Sequence, residues 1–210
     1  DRDTADGFNR IVMFNSDSFS NLIGGVGSVP GDPFSEEMTF ENYKAVFQHP
    51  NGGGTDSIYT DGDGEVYRPL EDIFEDNSDT LYVVVTAPPA RAGQSTDAQA
   101  DLARQFADWL SGTWQPAYET RNPSLDNVVV MDLFGFLAEP ASAGSGLRHR
   151  LKEEYERDGD SPIPNTDGLR AATEFFVAGT ESADSVLDIA VEAFPGIDFT
   201  IPTEKAALMA

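Results

Sequence analysis

The stretch Thr80-Leu81-Tyr82-Val83-Val84-Val85-Thr86-Ala87-Pro88-Pro89 constrains the fold more than any other part of the chain. An unbroken apolar run from Leu81 to Val85, with no alternation, is the pattern of a strand buried on both faces, the habit of parallel sheets. It stops at Thr86, and Pro88-Pro89 cannot continue a hydrogen-bonded ladder. Two further runs have the same character. Ile11 to Phe14 breaks into Asn15-Ser16-Asp17-Ser18, and Val128 to Met131 breaks at Asp132. Ligands of open α/β sheets sit beyond the carboxyl ends of the strands. A binding rim is therefore expected at Asn15, Asp17, Asn21, Thr86 and Asp132, with Ser16 and Ser18 the hydroxyls placed at a strand end.

The 210 residues suffice for one sizeable α/β core. We read residues 1–196 as a single domain and 197–210 as a C-terminal extension or arm. The formal charge of -24 repels phosphate backbones and anionic lipid, which argues against nucleic-acid or membrane-surface partners. Acidic excess with few lysines fits a halophilic, salt-screened habitat; moderate acidity is also common among exported proteins. The absence of cysteine excludes disulfides, thiolate nucleophiles and Cys-ligated metal. No apolar run has the length of a transmembrane helix. The opening at Asp1 without Met reads as a processed chain, hence an extracellular or cell-surface expectation.

Between the strands, Ser35–Gln48 carries Phe40, Tyr43, Val46 and Phe47 at helical spacing. Residues 58–67 have Asp-Gly turn chemistry between short aromatic-flanked segments and predict a small β-hairpin insertion. Leu70–Phe74 reads as a short helix. Ser95–Trp114 is the clearest helix, with a Thr96/Gln99 capping-box pattern and a Leu102, Phe106, Trp109, Leu110 stripe. Leu147–Tyr155 reads as a short charged helix, and Asp167–Val177 and Ser182–Ala193 as amphipathic ones. This alternation predicts a three-layer α/β/α sandwich with a mainly parallel central sheet.

Several residue groups carry candidate chemistry. Asp61, Asp63 and Glu65 resemble the middle of a calcium loop, with alternate oxygens and glycine turns, although in that frame Tyr59 and Leu70 stand where end ligands belong; a plain hairpin turn is the competing reading. Calcium is thus the one cofactor expectation. Asp17, Asp132 and Asp160 are carboxylates that could meet at the sheet end for acid–base or metal chemistry. His49 precedes Pro50 and reads as a surface or turn residue. His149, between Arg148 and Arg150, reads as part of a solvated helix face with its pKa lowered by like charge.

The segments "IVMFNSDSFSNL", "YKAVFQHPNGGG", "YRPLEDIFEDNSDTLYVVVTAPP", "FADWL", "NVVVMDLFGFLA" and "GDSPIPNTDGLRAATEFFV" resemble exported SGNH/GDSL-hydrolase-like proteins over residues 9–178. The resemblance implies a flavodoxin-like fold and ester or acetyl-ester hydrolysis, often on glycans. Such chemistry needs a serine after a strand, oxyanion donors, and an Asp-x-x-His pair that activates the serine. Asp160 matches the aspartate, but Pro162 or Ile163 stands where histidine belongs. Ser161, in a literal Gly-Asp-Ser, lies late and between helices, without the strand-to-turn setting of a nucleophile. The expectation is a catalytically reduced SGNH-like protein acting as a surface binding or self-assembling component, a homo-oligomer or filament. The alternative is an esterase acting on a glycan or small ester through Ser16 or Ser18, with His149 or Asp160 as the activating partner.

Overall fold

A computed structural model describes residues 10–15, 39–49, 59–60, 66–157 and 164–182. The three valine-rich runs form strands β1 (Arg10–Asn15), β4 (Thr80–Val85) and β5 (Val128–Met131), and between them lie β2 (Tyr59–Thr60) and β3 (Val66–Tyr67). The sheet has the order β1-β4-β5, and both pairings are parallel. Asn15 and Met131 both register with Val85, so the three strands end level with one another. β2 and β3 pair antiparallel, Tyr59 with Tyr67 and Thr60 with Val66, as the hairpin pattern required.

Alternation along the strands sends residues to two apolar clusters. On one face Tyr82, Val84 and Val128 meet Phe47 of α1 (Phe40–Phe47), Phe74 of α2 (Leu70–Asp76) and Phe106 of α3 (Asp97–Trp109). Trp114 and Tyr118, the latter on α4 (Gln115–Arg121), complete that face. On the other, Leu81, Val83, Val85 and Met131 meet Leu133 and Leu137 of α5 (Leu133–Leu137) and Phe175 of α6 (Thr166–Ser182). The protein therefore has an α/β fold, and a continuous apolar run rather than an alternating one is what a strand with two covered faces requires. Burial of a side chain such as Phe74 or Leu110 contributes about 1.5–3 kcal/mol.

α3 begins as its sequence dictates: the Thr96 hydroxyl accepts the Gln99 N–H, and the Gln99 side chain takes the Thr96 N–H. The helix does not run uniformly to Trp114. Leu110–Trp114 is a π-helical turn, an extra residue in the ladder, that leads into α4. Leu110 and Trp114, four residues apart, are both fully buried on the core face.

Leu147–Tyr155 does not form the expected charged helix. Ala141–Ala143 is a short 3-10 turn, a chain of turns follows, and Ala138 bridges Leu151 before a second 3-10 turn at Glu153–Tyr155. Gly144 and Gly146 take φ of +88° and +82°, and His149 takes +59°, none of which a right-handed helix accommodates. The charges mislead as well, for Arg150 faces inward and is 1% exposed. His49 likewise departs from a surface reading. It is 3% exposed; its N–H donates to Glu71 Oε1 at 2.9 Å, and its Nε2 lies 2.8 Å from Asp72 Oδ1.

Candidate ligand-binding rim at the sheet's carboxyl end

Thr86 and Asp132 directly follow neighbouring parallel strands, so the fold sets them side by side. The Thr86 N–H continues the ladder to the Met131 carbonyl at 3.0 Å. Its hydroxyl, on a residue 1% exposed, donates to Asp132 Oδ1 at 3.2 Å and accepts the Phe134 N–H at 2.8 Å. Asp132 caps α5: its Oδ1 also accepts the Gly135 N–H at 2.9 Å. Its Oδ2 accepts from Arg104 Nη2 at 2.9 Å. Arg104 also pairs with Asp108 one turn along α3 and stacks over Phe134, 5.6 Å from the ring centroid. Burial works against the Arg104 charge, but Asp108 and Asp132 outweigh it and hold its pKa above the ordinary arginine value.

Gly135 is what lets this pair close. A Cβ there would lie 2.3 Å from Asp132 Oδ2 and 2.5 Å from Arg104 Nη1. A larger residue requires the Asp132 carboxylate and the Arg104 guanidinium to shift.

Beside this rim runs a strap, residues 139–150. Its ends are clasped by Glu139 N–H to the Arg150 carbonyl at 2.7 Å and His149 N–H to the Glu139 carbonyl at 3.0 Å. The Leu151 N–H bonds the Ala90 carbonyl at 2.9 Å, tying the strap to the loop that leaves β4. The strap presents His149 to α3, its Nε2 3.8 Å from Asp101 Oδ1. The left-handed backbone at His149 costs about 1–2 kcal/mol for a residue with a Cβ, so the surrounding bonds must hold it there. Burial is the leading reason its pKa lies below the ordinary histidine value; Arg104 and Arg148 act in the same sense, and Asp101 and Asp108 oppose them. Like charge from sequence neighbours is thus a secondary cause.

Of the residues expected to form the site, the structure brings Thr86 and Asp132 together and sets His149 against Asp101 of α3 instead. Asn15 ends β1, in register with Val85. Ser16, Asp17, Ser18, Asn21 and Asp160 lie outside the described residues, as do Asp61, Asp63 and Glu65 of the calcium reading. Among the described residues no cluster of three or more His, Asp or Glu side chains is arranged to hold a metal ion. No helix among them is long and apolar enough to cross a membrane.

Arg104 and Gly135 escaped the sequence reading. The available signals were an arginine four residues before Asp108 on the helix that follows β4, and a glycine three residues after a strand-end aspartate. The latter is the spacing of a side chain that caps a helix N-terminus.

Comparison with known proteins found no matching family model, no matching curated protein and no matching solved structure.

Proposed function

We propose that this chain is an exported protein on an SGNH-like three-layer α/β/α scaffold, and that it binds at the sheet's carboxyl end rather than hydrolysing there. It would serve as a surface binding or self-assembling component, with a glycan or small ester as the ligand class. The observation that carries this reading is the commitment of the rim's polar groups to one another. The Thr86 hydroxyl is engaged as both donor and acceptor, and Asp132 is divided between Arg104, Thr86 and the Gly135 N–H. The imidazole of His149 faces a carboxylate on α3. A hydrolase of this type needs a basic nitrogen facing a hydroxyl instead. Pro162 and Ile163, standing where the resemblance calls for histidine, agree with this reading. The layered arrangement draws support from the two apolar clusters, one on each face of the sheet.

The test is p-nitrophenyl acetate turnover in high salt, together with labelling by a fluorophosphonate probe, for the wild type and the Ser16→Ala, Ser18→Ala and His149→Ala variants. The expected result is no labelling and equal background turnover in all four. Turnover or labelling that disappears with one serine overturns the reading and establishes ester hydrolysis. Self-assembly is tested separately by size-exclusion chromatography with residues 197–210 deleted; an unchanged profile removes the arm's part in it.

A further inference from the structure

Thr86 and Asp132 spend their polar atoms inside the fold, but three side chains on the α3 flank of the rim do not. Asp101, Arg104 and Asp108 follow one another at intervals of three and four residues, so they share one face of α3. Arg104 uses a single nitrogen, Nη2, for both Asp108 Oδ1 and Asp132 Oδ2. Its Nε and Nη1 have no hydrogen-bond partner among the described residues, and neither is sealed from solvent. Asp108, its side chain 61% exposed, keeps Oδ2 free. The strap sets His149 against the same face, its Nε2 3.8 Å from Asp101 Oδ1, too far for a hydrogen bond. Both ring nitrogens therefore lack a hydrogen-bond partner among the described residues, and both reach solvent. Its neighbour Arg148 is used quite differently, forking onto Asp101 with Nε to Oδ1 at 2.9 Å and Nη2 to Oδ2 at 2.7 Å.

His149 is also the only non-glycine residue among those described with a left-handed backbone, at φ +59°. That conformation costs about 1–2 kcal/mol, and the imidazole recovers none of it through a hydrogen bond within the fold. Strain of this kind collects where a side chain is held ready for a ligand.

We propose that Arg104, Asp108 and His149 form a reading patch for an uncharged polyhydroxylated ligand, gripping two adjacent hydroxyls. The patch rests on the binding reading above and narrows its ligand class. Each hydroxyl of such a diol both donates and accepts. Arg104 supplies donors, Asp108 an acceptor, and a neutral imidazole one of each. A simple ester offers acceptors alone and leaves Asp108 idle. Charge excludes an anion for a separate reason. Asp101 and Asp108 stand around the imidazole against Arg104 and Arg148, and Asp132 adds a third carboxylate at Arg104. An anionic ligand meets no net positive charge there, on a chain whose formal charge is -24.

The experiment presents the full chain to a printed array of neutral, uronic-acid-bearing and sulfated oligosaccharides. Affinities for the neutral oligosaccharides that bind are then measured by calorimetry for the wild type, His149→Gly, Asp108→Ala and Asp76→Ala. Glycine suits the backbone at position 149, and Asp108 is an exposed helical position, so both variants keep the fold, as their melting temperatures check. Asp76, at the end of α2 and before the amino end of β4, is the control. Binding is expected for neutral members alone. His149→Gly and Asp108→Ala each lose about tenfold in affinity, the scale of one hydrogen bond, and Asp76→Ala loses nothing. Binding of no neutral oligosaccharide overturns the proposal, as does a preference for the charged ones. An affinity unchanged in either patch variant overturns it too, while leaving ligand binding elsewhere on the rim intact. The binding reading itself falls only to the serine-dependent turnover or labelling described above.

Discussion

The hydroxyl of Thr86 and the carboxylate of Asp132 meet 3.2 Å apart across the ends of two neighbouring parallel strands, and the hydroxyl also receives the Phe134 N–H. Thr86→Val keeps the shape but strips the partner from a buried N–H. It is expected to destabilise the protein by about 1–3 kcal/mol, read from the urea midpoint. Thr86→Ser restores most of that loss. Equal midpoints for wild type and valine variant would show that the bonds contribute nothing net.

The close approach at Gly135 predicts a contrast between two glycines. Gly135→Ala drives a methyl into the Arg104–Asp132 pair and should cost about 1–3 kcal/mol. Gly112, in the π turn, has nothing within 4 Å of an added Cβ. Gly112→Ala is expected to stabilise by about 0.5–1 kcal/mol, the usual gain from replacing a helical glycine. Thermal melts of both variants check this, and destabilisation by both in equal measure would contradict it.

Glu71 carries a pH dependence of its own. Burial is the dominant influence and lifts its pKa above the ordinary glutamate value, despite the His49 N–H and the Arg121 guanidinium. A carboxyl with a raised folded pKa contributes stability that is present below its unfolded value and lost as pH rises through the folded one. Glu71→Gln keeps an acceptor for the His49 N–H and does not titrate. Its urea midpoint relative to wild type should therefore climb from pH 4 towards pH 7, and a constant difference would refute the sign.

The net charge of -24 bears on salt. Raising ionic strength from about 0.1 to 1 M shortens the screening length from about 10 to about 3 Å. Self-repulsion then weakens more than the short ion pairs do, and the melting temperature rises, by about 2–4 °C for each kcal/mol recovered in a chain of this size. A fall on adding salt would mean that pairs such as Arg148–Asp101 outweigh the general repulsion.

The sheet was legible in the sequence because a run such as Tyr82-Val83-Val84-Val85 has few alternatives: each residue needs an apolar neighbour, and two faces supply them. Thr96 and Gln99 were legible for a local reason, the reach of a side chain to a backbone N–H three residues away. The strap was not. Its charges resemble those of a solvated helix face, and only the tertiary partners Asp97 and Asp101 hold Arg150 inward and Arg148 against α3. The burial of His49 was hidden in the same way, since the carboxylates that accept it, Glu71 and Asp72, belong to a separate helix. Thr86 and Asp132 could be placed at a strand end from sequence, but the guanidinium that holds Asp132 comes from the intervening crossover.

The sheet's pairings have a kinetic consequence. Arg10 registers with Thr80 and Tyr82 with Val128, so neither ladder can begin as a hairpin, and each waits for a long crossover to close. Chains dominated by such distant contacts fold slowly. Until the crossovers close, the valine-rich strands stand open to neighbouring molecules, and the heavy negative charge that strains the finished fold is then what keeps the nascent chains apart.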